Sequence, residues 1–270
     1  MASERVPPIV SLQNSRIKYA LKLRSSRARR KTGEFLIDGS LEIRRAMAAQ
    51  VQIKSIFVSD DSYQNQPEPF SSCDCLQPVS DKVLAKLSYG EQAAAPVAIA
   101  TTPTRSLAQL SLSSTSLVLV LDQIEKPGNL GACLRTAAAC DVDAVVISNP
   151  ICELFNPNTI RASRGAIFSL PIAECHSGEF QKLASSLRLP ILTARVDGSS
   201  SLWDCDFRTG AAVVFGNEAH GLGDDWCEES KNLKAFRIPM HAGVDSLNIS
   251  ISAAVTLYEA KRQRRRGSTK

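Results

Sequence analysis

Histidine and tryptophan are scarce in this chain, at three and two of 270 residues. The eight cysteines include no Cys-x-x-Cys pair. With so few histidines, no plausible zinc ligand set can be assembled, so a metal site is not expected. Most cysteines sit inside apolar runs and read as reduced, buried small hydrophobes rather than a disulfide framework. No apolar run approaches the ~20 residues of a membrane-spanning helix. The opening MASERVPPIV lacks the apolar core of a secretory signal, so a cytoplasmic location is expected. No glycine pattern matches a Walker A loop or G-x-G-x-x-G, which weakens any nucleoside triphosphate or dinucleotide reading.

What the chain does contain suits an ordinary folded protein: 44% apolar and 22% charged residues. Its length allows one large domain or two small ones, with a core that needs no staples. The charge is uneven. Residues 1–45 carry eleven Lys/Arg against four Asp/Glu, residues 261–270 carry six against none, and the stretch between carries fifteen against twenty-three. An acidic body with two basic ends suits a polyanion held at particular places. The basic tail alone is equally compatible with a solvated, frayed end.

The first part reads as a small mixed α/β domain. Residues 12–31 combine a thin apolar stripe with Lys22, Arg24, Arg27, Arg29, Arg30 and Lys31, which predicts a helix running into a basic loop. Strands are expected at 34–38, 53–58 and 97–100. A helix after Gly39 and another capped by Asp81 complete it, with a polar loop at 60–72. The Ser/Thr-rich stretch 101–116 reads as a linker, dividing the chain into domains 1–105 and 106–270.

The second part alternates short apolar runs (117–121, 144–147, 191–193, 211–215 and 235–238) with helical stretches near 130–139, 157–164, 178–187 and 223–231. A closing helix is expected over 247–264, with Leu247, Ile251, Ala254, Val255 and Tyr258 at helical spacing. Continuous apolar strands of this kind are buried and parallel, and the alternation predicts a doubly wound α/β sheet. Ligands of such sheets bind in loops at the carboxyl ends of the strands.

Three of those loops are chemically rich. In DQIEKPGNLGACLRTA, Asn129 is a candidate helix cap, and Arg135 can lean back over the helix start, giving an anion site. In GNEAHGLG, Gly216 leaves bare backbone at a strand end and Glu218 is a candidate orienting or acid–base carboxylate. In IPMHAGVDSLNIS, Asp245, Ser246 and Asn248 crowd a helix start with more polar groups than capping requires. Each loop alone is also a plain capped turn.

Together PGNLGACLRTA, FGNEAHGL and IPM…SLNISISAA resemble the three ordered motifs of the SpoU (TrmH-like) RNA 2′-O-ribose methyltransferases of the SPOUT superfamily. The resemblance covers roughly residues 117–262. The segment NSRIKYALKLRSSRARRKTGEFLIDGSLEI resembles the small RNA substrate-binding domain that often precedes it. The resemblance implies a parallel α/β domain tied in a deep trefoil knot, a homodimer, and S-adenosylmethionine as cofactor. It implies methyl transfer to a ribose 2′-hydroxyl in rRNA or tRNA. The residues it marks as catalytic are Asn129, Arg135, Glu218, Ser246 and Asn248. Thr193, Ala194, Gly216, Ile238, Met240 and Leu247 would line the cofactor site. The basic set of Lys22, Arg24, Arg27, Arg29, Arg30 and Lys31 would hold RNA backbone. Two alternatives are a catalytically inactive RNA-binding protein of the same fold, which the intact five-residue set argues against, and a small-molecule α/β enzyme, which leaves the basic N-terminal run unexplained. One departure from the family pattern is Cys140-Asp141, where relatives tend to carry an aromatic residue and glycine; Asp tolerates the left-handed turn expected there.

Overall fold

A computed structural model describes residues 7–59, 75–88, 95–226 and 232–266, the side chain of Arg266 apart. The loop expected at 60–72 lies outside them. The chain divides into two compact units: Met1–Pro103 with Phe155–Ser169, and Thr104–Leu154 with Leu170–Lys270. The division is therefore not a single cut near residue 105, because a segment from the middle of the second half belongs with the first unit.

In the first unit, the helices α1 (Ser15–Lys22) and α2 (Ser26–Thr32) precede strand β1 (Glu34–Asp38). Then come α3 (Ser40–Ala48), β2 (Ile53–Val58), β3 (Leu76–Pro78), α4 (Asp81–Leu87) and β4 (Val97–Thr101). The strands form a sheet in the order β1-β4-β2-β3. The expected basic loop is helix α2 instead. Ser25 caps it through the Ala28 amide, and Gly33, at φ +65°, ends it. Arg29, Arg30 and Lys31 fall in its last turn, where the helix dipole favours cations. Ser80 rather than Asp81 holds the cap position of α4.

The segment Phe155–Ser169 carries α5 (Pro157–Ala162) and α6 (Ala166–Ser169). Phe155 and Phe168 place their rings 4.7 and 6.3 Å from that of Phe35 on β1. Gly165 takes φ +77°, and the Arg45 guanidinium donates to the Arg164 carbonyl at 2.6 Å.

The second unit is built on a seven-stranded parallel sheet. In chain order its strands are β5 (Leu117–Asp122), β6 (Ala144–Ser148), β7 (Ile172–Cys175), β8 (Ile191–Ala194), β9 (Ser200–Ser201), β10 (Ala211–Phe215) and β11 (Leu233–Arg237). The spatial order is β7-β6-β5-β10-β8-β11-β9. Beyond β5 the chain builds outward through β6 and β7, while β10 joins β5 on its other side. The β5/β10 boundary is thus the switch point, where loops diverge and leave a crevice. Every residue of β5, β6 and β10 is buried, as their continuous apolar character requires.

Helix α7 (Pro127–Cys140) follows β5, α8 (Ser177–Ser186) follows β7, and α9 (Ile249–Arg266) closes the chain. Asp141 ends α7 at φ +60° and ψ +50°, the left-handed turn expected of it. Some expectations need correction. Of the helix expected at 223–231, the described residues show a 3-10 turn at Asp224–Trp226, and 227–231 lie outside them. Strands β7 and β9 carried too short a signal to be read. In α9 the stripe turned inward is Ile249, Ala253, Thr256, Leu257 and Ala260, while Ile251 and Tyr258 remain 52% and 55% exposed. The small residues Ala253 and Ala260 let α9 lie close against α7.

Cys75 is disulfide-bonded, an exception to the reduced state expected of most cysteines. Cys133, Cys140, Cys152, Cys175 and Cys205 are free. Among the described residues no group of His, Cys, Asp and Glu could hold a metal ion, and no helix is long and apolar enough to cross a membrane.

Candidate active site

The carboxyl ends of β8, β10 and β11 open into a cavity of about 740 Å³, within the range of small-molecule sites. Asn129, Ala194, Gly216, Glu218, Ile238, Met240, Ser246, Leu247 and Asn248 line it. These come from α7, from the end of β8, and from the loops after β10 and β11, so nine residues singled out in sequence converge in space.

Asn129 is not the expected helix cap. Lys126 holds the cap position and Pro127 begins the helix, so Asn129 sits in the first turn with its amide free to reach sideways. Its Nδ2 donates to Glu218 Oε1 at 2.5 Å. Its Oδ1 accepts from Asn248 Nδ2 at 3.2 Å. Asn248 also caps α9, its Oδ1 accepting from the Ser250 amide at 2.9 Å and the Ser250 hydroxyl at 2.7 Å. Asn248 thus both caps α9 and bridges to Asn129. The chain Asn248–Asn129–Glu218 ties the three motif loops together and ends on a carboxylate, which strengthens its last bond.

Gly216 has a local reason to be glycine. A Cβ there would meet the Gly221 carbonyl oxygen at 2.4 Å and the Leu222 nitrogen at 2.6 Å. The bare backbone first admits the folding back of its own loop. Asn217, which the sequence reading passed over, is buried and pins that loop to the one after β5. His220 also lines the cavity.

Arg195 and Asp197 line the cavity unforeseen. Their paired hydrogen bonds, at 3.0 and 3.2 Å, hold the Asp197 carboxyl below its ordinary range. They follow β8 directly, and the strand-end rule was the available signal for them. Thr193 is buried, its hydroxyl donating to the Lys234 carbonyl at 3.4 Å, and it does not line the cavity. Arg135 is exposed on α7 and is not among the lining residues. Cys133, on the same helix, is buried; that burial and the nearby Glu218 charge push its thiol up to about 12, so it is no nucleophile.

The basic set in the first unit separates into two groups. Arg24 donates to the carbonyls of Lys86, Leu87 and Ser88 at the end of α4. Arg29 is buried and donates to the carbonyls of Leu23 and Arg24 at the end of α1. Both serve as helix C-caps. Lys22, Arg27, Arg30 and Lys31 are exposed.

Comparison with known proteins gives the same picture from outside. The SpoU rRNA Methylase family model matches residues 116–258, and the MRM3-like substrate binding domain model matches residues 14–98. Over 254 residues the chain is 25% identical to the 23S rRNA (guanosine(2553)-2′-O)-methyltransferase RlmP of Bacillus subtilis (strain 168), covering 94% of this chain and 98% of the relative. It is 28% identical to the 23S rRNA (uridine(2479)-2′-O)-methyltransferase of Streptomyces viridochromogenes, covering 98% of this chain and 96% of the relative. A solved RNA 2′-O ribose methyltransferase superposes with a TM-score of 0.84 at 35% identity, covering 96% of this chain and 99% of that one. The AdoMet complex of AviRb from Streptomyces viridochromogenes shares the fold, with a TM-score of 0.83 at 24% identity over 93% of this chain and 98% of that one. By sequence, motif and fold, this chain belongs to the SpoU rRNA methylase family.

Proposed function

We propose that this protein transfers the methyl group of S-adenosylmethionine to the 2′-oxygen of a ribose in structured RNA, with rRNA as the substrate class. The observation that carries this reading is the cavity at the β8, β10 and β11 strand ends, where the three motif loops meet through Asn129, Glu218 and Asn248. Those three residues, with Ser246, form an intact polar set around the cavity, which favours the enzyme over a non-catalytic RNA-binding protein.

The cavity suits the cofactor. Ile238, Met240 and Leu247 offer apolar walls beside the backbone of the strand-end loops, and Ala194 and Gly216 present small surfaces for a flat heterocycle. When bound, the cofactor supplies an electrophilic methyl group, so the protein's task is orientation and handling of one proton and its charge. Asn129, Glu218, Ser246 and Asn248 orient the ribose and the cofactor. The Arg135 guanidinium carries only donors and no acceptor, which suits an anion rather than proton abstraction. We assign it to the phosphate beside the target ribose, where its charge also stabilises the developing alkoxide. The products are a 2′-O-methyl ribose, the demethylated cofactor and a released proton.

The same reading carries three further proposals. The second unit is knotted, supported by the placing of β8 between β10 and β11 and by the tight crossing at Gly198, where a Cβ would lie 2.4 Å from the Phe236 carbonyl carbon. The protein is a homodimer, supported by the exposed apolar residues Ile251 and Tyr258 on α9. It acts in the cytoplasm on RNA gripped in part by Lys22, Arg27, Arg30 and Lys31.

Calorimetry with S-adenosylmethionine, NAD and ATP tests the site; binding of the first alone is expected. Mapping of 2′-O-methyl positions in total RNA with and without the protein tests the reaction. Arg135→Ala is expected to abolish transfer while cofactor affinity stays within a few-fold. A folded protein that binds no S-adenosylmethionine overturns the reading.

A further inference from the structure

Asn217 has every polar atom of its side chain in use. It is 7% exposed, two residues past the end of β10 and one before Glu218. Its Nδ2 donates to the Gln123 carbonyl and to Glu125 Oε1, both at 3.0 Å. Its Oδ1 accepts from the amides of Ala219 at 2.8 Å and His220 at 3.2 Å. Its backbone carbonyl accepts from the Gly221 amide at 2.9 Å. The first pair of bonds crosses the switch point from the β10 loop to the β5 loop. The others set the turn that carries Glu218.

The β5 loop arrives at this clamp in an unusual conformation. Gln123 has φ +54°, a left-handed backbone rare for a residue with a side chain. Its amide donates to the Ser148 carbonyl at 3.0 Å, which leaves its own carbonyl turned toward Asn217. Four residues beyond Glu125 lies Asn129, whose amide must meet Glu218. The Asn129–Glu218 bond therefore joins two loops whose separation is fixed by the two donors of one buried amide.

We propose that Asn217 is a positioning residue for methyl transfer: it clamps the β5 loop to the β10 loop and so sets the Glu218 carboxylate against Asn129 at the mouth of the cavity. This rests on the methyl-transfer reading for its consequence, and on hydrogen-bond geometry alone for the clamp. An amide is required because only it presents two donors on one side and an acceptor on the other. Aspartate keeps the acceptor but turns an oxygen toward the Gln123 carbonyl and the Glu125 carboxylate.

The test uses the full chain in five forms: wild type, N217A, N217D, N217D/E125Q and E125A. In N217D the introduced carboxylate repels Glu125. In N217D/E125Q the introduced amide can donate to it, restoring one bond across the loops with its polarity reversed. Binding of S-adenosylmethionine is read by calorimetry. Transfer of tritiated methyl to unmodified 23S rRNA transcript gives kcat and KM separately. Amide exchange across residues 216–221 needs no ligand. N217D is expected to weaken cofactor binding roughly ten- to a hundred-fold and to lower kcat. N217D/E125Q should recover most of both losses, with 216–221 exchanging more slowly than in N217D. A generic packing defect would give no such recovery. N217D behaving as wild type, or the double variant no better than N217D, overturns the proposal. Should the position-217 variants fail to fold, E125A decides: its exposed site is safe for folding, and a few-fold faster exchange of 216–221 is expected, with no change overturning the clamp. If wild type binds no S-adenosylmethionine, the methyl-transfer reading fails, while the order of exchange rates still judges the clamp.

Discussion

Neutralising Lys22, Arg27 and Lys31 together should change how RNA binding responds to salt, whereas removing Arg29 should not. The three side chains are exposed on α1 and α2, so each can reach a phosphate, and neither helix depends on them for a cap. Each lost phosphate contact lowers the slope of log affinity against log salt by roughly 0.7–0.9, so three lower it by about 2–3. Between 50 and 200 mM salt, the wild type should therefore lose roughly 20–40-fold more affinity than the triple variant. Arg29 sits in the same sequence run but is buried, with two charge-assisted bonds to the end of α1. Its removal leaves the Leu23 and Arg24 carbonyls without those donors. That should destabilise the protein by about 2–4 kcal/mol, lowering the melting midpoint by on the order of 10 °C or more. Its effect on the salt slope should be negligible. Filter binding of an rRNA transcript across a salt series, with thermal melts of both variants, measures all of this. A triple variant with the wild-type slope, or an Arg29→Ala protein that keeps its stability and loses slope, would refute the division of the basic run.

Glu218→Ala should slow methyl transfer at saturating cofactor by about ten- to a hundred-fold, the value of one charge-assisted hydrogen bond. The melting midpoint should hardly move, because Glu218 is only half-buried; unchanged turnover would remove it from the machinery. Phe168→Ala opens a hole beside Phe35 and Phe155 and should lower unfolding free energy by about 3–5 kcal/mol, measured by denaturant titration. An effect below about 1 kcal/mol would mean that the inserted segment is not part of the first unit's core. Cys133, with its thiol pushed up to about 12, should resist iodoacetamide at pH 8 in the native protein and react once unfolded, as mass spectrometry of the labelled peptide would report.

Much of the second unit was legible in the sequence. Buried parallel strands must be apolar on both faces, so VLVL and AAVV identify β5 and β10 without further help. A loop at a strand end that carries Asn, Glu or Ser where capping needs one polar group announces a site, and the three motif loops did so. The polar partners were not legible. Asn129 read as a cap and is a bridge; Asn217 read as nothing and is the most fully bonded side chain near the cavity. Arg24 and Arg29 read like their neighbours in a basic run, yet both close helix ends.

The sequence by itself determined most of the longer strands and helices, because periodicity and capping are local and act over a few residues. It also determined the chemistry available at the three loops. Only the tertiary structure decided which donors and acceptors meet, that Phe155–Ser169 joins the first unit, and that α9 buries Ile249, Ala253, Leu257 and Ala260 while Ile251 and Tyr258 stay exposed. Those outcomes depend on neighbours distant in the chain. A hydrogen bond between Asn129 and Glu218 spans 89 positions, and no local pattern encodes the partner of a side chain that far away.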